Sequence, residues 1–102
     1  MIVIGKIKEN YKDDNLPSIH DIINKPIKDK KIVLDYLEKG KVTSVSPSIS
    51  RDLINKNNII KKLYMMNDGI YAWRSDTIYY FEKYDIELQE DFIQHVLNKS
   101  TY

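Results

Sequence analysis

Residues 63–84 read LYMMNDGIYAWRSDTIYYFEKY, and the spacing within this stretch decides the expected fold. Asp68-Gly69 tolerates the positive φ angles of a two-residue hairpin turn. Residues 59–67 before the turn and residues 70–74 after it are apolar and aromatic, which favours strands. The stretch therefore predicts an antiparallel hairpin.

Two helices are predicted after the hairpin. Ser75 can accept a hydrogen bond from a backbone amide at the N terminus of the first helix, over residues 76–84. This helix carries apolar side chains at helical spacing, namely Ile78, Phe81 and Tyr84. A last helix over residues 89–98 has two apolar pairs at i and i+4 spacing, which are Phe92 with Val96 and Ile93 with Leu97. The C-terminal third should therefore be helical.

The N-terminal part is expected to contain two more helices. Asp29 can cap a helix over residues 30–39, and Gly40 can end it. A shorter helix is predicted to begin at Pro17-Ser18, since proline suits the first turn of a helix. Residues 1–7 fit an edge strand.

Residues 42–54 complete the expected sheet. They are rich in valine, threonine and serine, which favours a strand. Pro47 places this strand at an edge or at a bulge, because proline cannot donate a hydrogen bond to a central ladder. The sequence therefore predicts a single α+β domain over residues 1–102, with a three-stranded antiparallel meander and helices before and after it, packed mainly on one sheet face.

The expected register follows from a two-residue turn at 68–69 and a four-residue loop at 55–58. It gives four pairs, which are Met66 with Tyr71, Tyr64 with Trp73, Leu53 with Ile60 and Ile49 with Tyr64. The core face then carries the aromatic side chains together with Val45. The opposite face carries the alternating serines with Lys61, Leu63, Met65 and Arg74. It is either open to a partner or covered by the N-terminal segment.

The charge is nearly balanced over the whole chain but not along it. The 102 residues include 16 lysines and arginines and 15 acidic residues, which argues against a strongly basic nucleic-acid binder and against an acidic nucleic-acid mimic. Residues 1–66 carry 13 basic and 8 acidic side chains, whereas residues 67–102 carry 3 and 7. The C-terminal third is therefore the acidic end of the chain.

Cysteine usage and hydropathy point to the cytoplasm. The chain has no cysteine, so disulfides and thiolate metal sites are excluded. The apolar start of the chain is only four residues long, shorter than the apolar region of a signal peptide. No segment approaches the roughly 20 apolar residues that span a bilayer. We therefore expect a cytoplasmic protein with no membrane partner.

No motif for catalysis, metal binding or cofactor binding is found. His20 and His95 have no acidic partners at metal-ligand spacing and are expected at helix boundaries. The serines lie in no nucleophile elbow, and the three glycines form no phosphate-binding loop. The sequence therefore predicts a protein that is not an enzyme and has no cofactor.

Nucleic-acid binding is an alternative with weaker support. Two groups of lysines could form positive patches near aromatic side chains. The first group is Lys25, Lys28, Lys30 and Lys31, and the second is Lys56, Lys61 and Lys62. Arg51 and Arg74 are the only arginines, whereas base recognition favours arginine. A solvated lysine face is the preferred interpretation, and a structural subunit of a larger complex is a third alternative.

Aromatic residues and charges alternate in residues 68–85. Protein-binding hot spots use this combination, because aromatic side chains bury large areas while charges set the orientation. The apolar members are expected in the core, and the outer helix face is expected to meet a partner. The predicted partner-binding residues are Arg74, Asp76, Tyr79, Glu82, Lys83, Asp85 and Glu87.

Residues 68–97 resemble a block near the C terminus of small bacterial immunity proteins of polymorphic-toxin and contact-dependent growth inhibition systems. The matching residues are Asp68-Gly69, Tyr71, Trp73, Asp76, Tyr79-Tyr80, Tyr84, Leu88 and Phe92. Thr77-Ile78 stands where the family has leucine after the aspartate, and Gln89 stands where it has proline. The resemblance implies a non-enzymatic protein that binds and neutralises a cognate toxin domain, such as a nuclease. It leaves the toxin and the oligomeric state open.

Overall fold

In the computed structural model of the chain, the described residues are 1–46, 50–60 and 63–100. The strands are β1 (Ile2–Val3), β2 (Lys41–Ser46), β3 (Ser50–Arg51), β4 (Ile59–Ile60), β5 (Leu63–Asn67) and β6 (Tyr71–Arg74). The helices are α1 (Lys8–Tyr11), α2 (Ile19–Ile22), α3 (Lys30–Glu38), α4 (Ser75–Tyr84) and α5 (Glu90–Ser100). The α+β class is confirmed.

The sheet is mixed and has four strands, in the order β1-β6-β5-β2, while β3 and β4 pair separately. The predicted three-stranded meander is therefore wrong in detail. The N-terminal strand is the main addition, since Ile2 and Val3 pair in parallel with Tyr71 and Ala72. The expectation of an edge strand near the N terminus is confirmed. A two-residue strand leaves too short a pattern to show its partner in the sequence.

The predicted strand over residues 42–54 is divided. Asp52 begins a turn three residues earlier than expected, because its side chain accepts hydrogen bonds from the amides of Ile54 and Asn55. Ile60 consequently pairs with Ser50 rather than with Leu53. The predicted pairing of Ile49 with Tyr64 falls on a residue outside the described ranges, and Tyr64 pairs with Val45. The segment 47–49, with Pro47 and Ser48, lies outside the described residues, and β2 carries a register shift between Val42 and Ser44.

The hairpin between β5 and β6 has a different register from the one expected. Met66 pairs with Trp73 rather than with Tyr71. Tyr64, which was expected to pair with Trp73, is not among the residues of β5 that pair with β6. The cause is a wider turn, in which the Asp68 amide donates to the Tyr71 carbonyl oxygen at 3.0 Å. A shift of two residues keeps every side chain on its face. The predicted core face is therefore confirmed for Met66 and Trp73, which are buried, but not for Val45, which is 65% exposed on the edge strand β2.

The opposite sheet face is partly covered. Ser44, Ser46, Leu63, Met65 and Arg74 line a hollow of about 300 Å³ together with Tyr64 and Tyr11 of α1. The side chains of Leu63 and Met65 are half-buried. Both alternatives for this face therefore hold in part. Lys61, which was expected on this face, lies outside the described residues.

Helices α2 to α5 begin and end close to their predicted bounds, whereas α1 was not predicted, and two caps differ. The Asp29 side chain makes no capping hydrogen bond to α3, and its own backbone is left-handed with φ 56°. Ser75 is the first residue of α4 rather than its cap, and its hydroxyl oxygen accepts the amide of Tyr64 at 3.0 Å. The serine therefore fixes the end of the hairpin instead of the helix.

The core is built on Trp73. The indole nitrogen of Trp73 donates to the Leu37 carbonyl oxygen at 3.2 Å, which connects the sheet to the end of α3. Its ring lies 6.3 Å from that of Tyr36 and 5.6 Å from that of Phe92. Helices α3 and α5 therefore pack against the same face of the sheet.

At Gly40 the chain passes close to this ring. A Cβ atom added to Gly40 would lie 2.6 Å from Cζ2 of Trp73. Glycine to alanine changes usually stabilise a protein where the backbone allows them. At Gly40 this contact makes the substitution destabilising instead. We expect Gly40→Ala to lower the free energy of unfolding by about 1–3 kcal/mol in urea titrations. Lys39→Ala, at an exposed neighbour, is the control, and a Gly40→Ala protein as stable as the parent would contradict the packing.

Candidate functional site

Two aspartates, the buried Asp52 and the partly buried Asp68, fix the elements that carry the predicted partner-binding residues. Asp52 is fully buried. One carboxylate oxygen accepts the amides of Ile54 and Asn55, and the other accepts the hydroxyls of Tyr79 at 2.7 Å and Tyr84 at 2.6 Å. Burial alone would raise the pKa of Asp52, but these four donors together lower it to about 2. The carboxylate therefore stays ionised and holds α4 against the loop after β3.

Asp68 holds the opposite end of the molecule in the same way. Its Oδ1 accepts the amides of Ile70 and Tyr71, and its Oδ2 accepts the Tyr36 hydroxyl and lies 2.9 Å from Nε2 of His95. Burial would raise the pKa of Asp68, yet the donors lower it to about 2. His95, which has no acidic partner at metal-ligand spacing in the sequence, does have an acidic partner in the folded chain. The partner is Asp68, which is 27 residues away in sequence.

Asp76 is not on the outer face of α4, and this part of the sequence prediction is wrong. Its side chain is 1% exposed. Helix α4 begins at the residue after β6, so its first turn stays packed, and Thr77 is buried as well. Arg74 binds the carboxylate with two hydrogen bonds of 3.0 and 2.8 Å. Burial raises the pKa of Asp76, and the Arg74 charge opposes that rise.

Tyr79 and Asp85 are engaged inside the molecule. The Tyr79 hydroxyl donates its hydrogen bond to Asp52, and the Tyr79 side chain is half-buried. Asp85 forms an ion pair with Lys30, whose ammonium group also donates to a backbone carbonyl of α4. These residues therefore position the helix more directly than they offer free groups to a partner.

The remaining predicted residues are exposed. Lys83 lies over the rings of Tyr79 and Tyr84, with its nitrogen 5.5 and 5.7 Å from the ring centres. Glu82 and Glu87 are exposed, and so are Glu90 and Asp91 in the first turn of α5. Within the described ranges, none of these four acids has a basic partner within 4 Å.

These four acids, Glu82, Glu87, Glu90 and Asp91, form what we name the acidic segment. Residues 82–91 carry five carboxylates and one lysine. Sequence reasoning identified the segment because charge can be counted along a chain. It could not identify Asp52 or His95, because their partners come from distant elements.

The described part of the chain offers neither a metal centre nor a membrane span. Over these residues no three histidine, cysteine or acidic side chains lie where they could hold an ion together. None of the helices in the described ranges is both long and apolar enough to cross a bilayer.

The Asp52 site predicts a pH-dependent stability. Because the folded pKa of about 2 lies below the ordinary value of about 3.9, the stabilisation is complete above about pH 4 and is lost as the pH falls through 2. Between about pH 5 and 2, the free energy of unfolding of Asp52→Asn should fall by about 1–2 kcal/mol less than that of the parent, as measured by urea unfolding. Tyr79→Phe and Tyr84→Phe each remove one donor and should give intermediate profiles. An Asp52→Asn protein with the same slope as the parent would contradict this role.

No family model, curated protein or solved structure matches the chain.

Proposed function

We propose that this protein is a non-enzymatic inhibitor of the immunity type, which binds and neutralises a cognate bacterial toxin domain by protein–protein contact. The observation that carries the proposal is the acidic segment, whose four carboxylates are exposed beside a firmly anchored helix. The resemblance of residues 68–97 to immunity proteins gives the class of partner. Such a protein acts in the cytoplasm of the cell that makes the toxin.

The rigid support of the segment favours binding. Asp52 anchors α4 through two tyrosines, and Asp68 anchors α5 through His95. A surface that is already ordered loses little conformational entropy when a partner docks. The internal hydrogen bonds therefore prepare the surface, although they do not themselves contact the partner.

The charge of the segment favours a basic partner. Complementary charges steer the encounter of two proteins and raise the association rate, an effect that salt weakens. Many enzymes that cleave nucleic acids present basic surfaces to the phosphate backbone. A basic nuclease domain is therefore the kind of toxin that fits best.

The lysine-patch alternative receives less support. Lys30 is paired with Asp85 and is not available as a free cation. Lys61 and Lys62, two of the three hairpin lysines on which that alternative depends, lie outside the described residues, whereas Lys25, Lys28, Lys31 and Lys56 are described and have no ion-pair partner among the described residues. Salt-sensitive binding of RNA or single-stranded DNA that is lost in Lys61→Glu/Lys62→Glu would favour it over the present proposal.

The proposal predicts the effect of removing charge from the acidic segment. Glu87→Gln/Asp91→Asn should weaken binding to the toxin domain encoded immediately upstream by about tenfold at low salt, mostly through slower association. The difference should shrink at high salt, because exposed charges are screened. Surface plasmon resonance at several salt concentrations measures both effects.

A matched variant separates local from global charge. Asp14→Asn/Asp35→Asn removes two exposed acids outside the segment and should change the affinity much less. A purified parent protein that neither binds the toxin domain nor rescues cells that express it would refute the proposed function.

A further inference from the structure

Helix α5 has more apolar surface than the core uses. Phe92 and Val96 are fully buried and pack into the core. Ile93 and Leu97, each one residue further along, form a second stripe on the same helix and are only half-buried. Ile93 packs in part against the core. The surface of Ile93 and Leu97 that stays accessible is available to another apolar surface.

This second stripe lines a groove of about 820 Å³. Its floor is formed by the buried side chains of Ile22, Phe81 and Leu88. Half-buried Leu16 and Ile27 lie on the wall opposite α5. The volume falls within the range of about 300–1,000 Å³ found for binding pockets, and the lining is largely apolar.

The groove is held in shape by backbone hydrogen bonds between its two walls. The amide of Glu87 donates to the carbonyl oxygen of Ile22 at 2.9 Å. The amide of Lys25 donates to the carbonyl oxygen of Asp85 at 3.0 Å. At one end, the Gly5 amide donates to the Gln89 side chain at 3.2 Å. The groove therefore exists before any partner arrives.

The two walls carry opposite charges. Lys25 and Lys28 lie on the wall formed by the linker between α2 and α3, and Lys6 lies on the N-terminal segment. Glu87 and Glu90 lie on the wall formed by the start of α5 and the linker before it. Among the residues described, none of these five side chains has an ion-pair partner within 4 Å. The lining of the groove thus combines side chains of both charges, on two neighbouring segments, with an apolar floor.

We propose that this groove receives an apolar segment of the toxin domain, with a basic side chain of that segment against Glu87 and Glu90 and an acidic one against Lys25 and Lys28. The proposal rests on the proposed function and names the element of the partner that docks. A peptide segment fits this lining, because a polypeptide can present apolar side chains and both signs of charge together. An anionic small molecule would be repelled by the two glutamates.

The apolar part of the proposal is tested with the complete chain and the upstream toxin domain. Leu97→Asn should weaken binding about tenfold or more by isothermal titration calorimetry. Ile32→Asn is the matched control, because Ile32 is 41% exposed on α3 and is not part of the groove. Thermal unfolding of both variants verifies that they are folded. Equal affinity of Leu97→Asn and Ile32→Asn would overturn the inference and leave the proposed function intact.

The lysines of the groove supply a test whose sign separates the two proposals. If acidity alone drives binding to a basic domain, Lys25→Glu/Lys28→Glu should leave the affinity unchanged or increase it. If the groove binds a segment with both charges, the same variant should weaken binding by about tenfold. An increase would overturn the groove proposal while supporting the acidic segment.

Two further outcomes are also decisive. If the folded toxin domain does not bind, the proposed function fails, and overlapping peptides of that domain then test the groove directly. A peptide that binds the parent but not Leu97→Asn would support the inference, and the absence of such a peptide would overturn it. A dimer of the free chain that Leu97→Asn dissociates in analytical ultracentrifugation would assign the groove to a second copy and overturn the inference as well.

Discussion

The carboxylate of Asp68 is the group on which most of the structure depends. One of its oxygens accepts two amides of the turn and so sets the register of β5 and β6, which places Trp73 in the core. The other oxygen holds Tyr36 of α3 and His95 of α5. A single ionised group therefore connects the sheet to both helices that cover it. Burial and the adjacent carboxylate raise the pKa of Tyr36, so its hydroxyl remains a hydrogen-bond donor.

Asp52 repeats this arrangement against α4. A buried carboxylate is stable only when its charge is met by donors, and here two amides and two tyrosine hydroxyls meet it. Asp52 gives a structural role to Tyr79 and Tyr84 of the C-terminal tyrosine cluster, and Asp68 gives one to Tyr36. Their hydroxyls connect elements inside the molecule, and the acidic side chains left outside are the ones free to bind.

Periodicity and turn chemistry were enough to predict the α+β class, the three longer helices and the aromatic core face. They failed at the turns, where the side chains of Asp52 and Asp68 bind nearby amides and change the loop lengths. The exposure of Asp76 was also predicted wrongly, because local spacing could not show that Arg74 would bind it in the interior. Charge along the chain identified the acidic segment. The groove needed three segments that are distant in sequence, so only the folded chain could reveal it.

The central claim is that the start of α5 and the linker before it meet a toxin domain. Hydrogen–deuterium exchange of the chain, with and without the toxin domain encoded upstream, tests it most directly. Our account predicts that binding slows exchange mainly in residues 85–97 and in the facing linker at 25–28. Slower exchange confined to the outer edge of β2, with these regions unchanged, would contradict it.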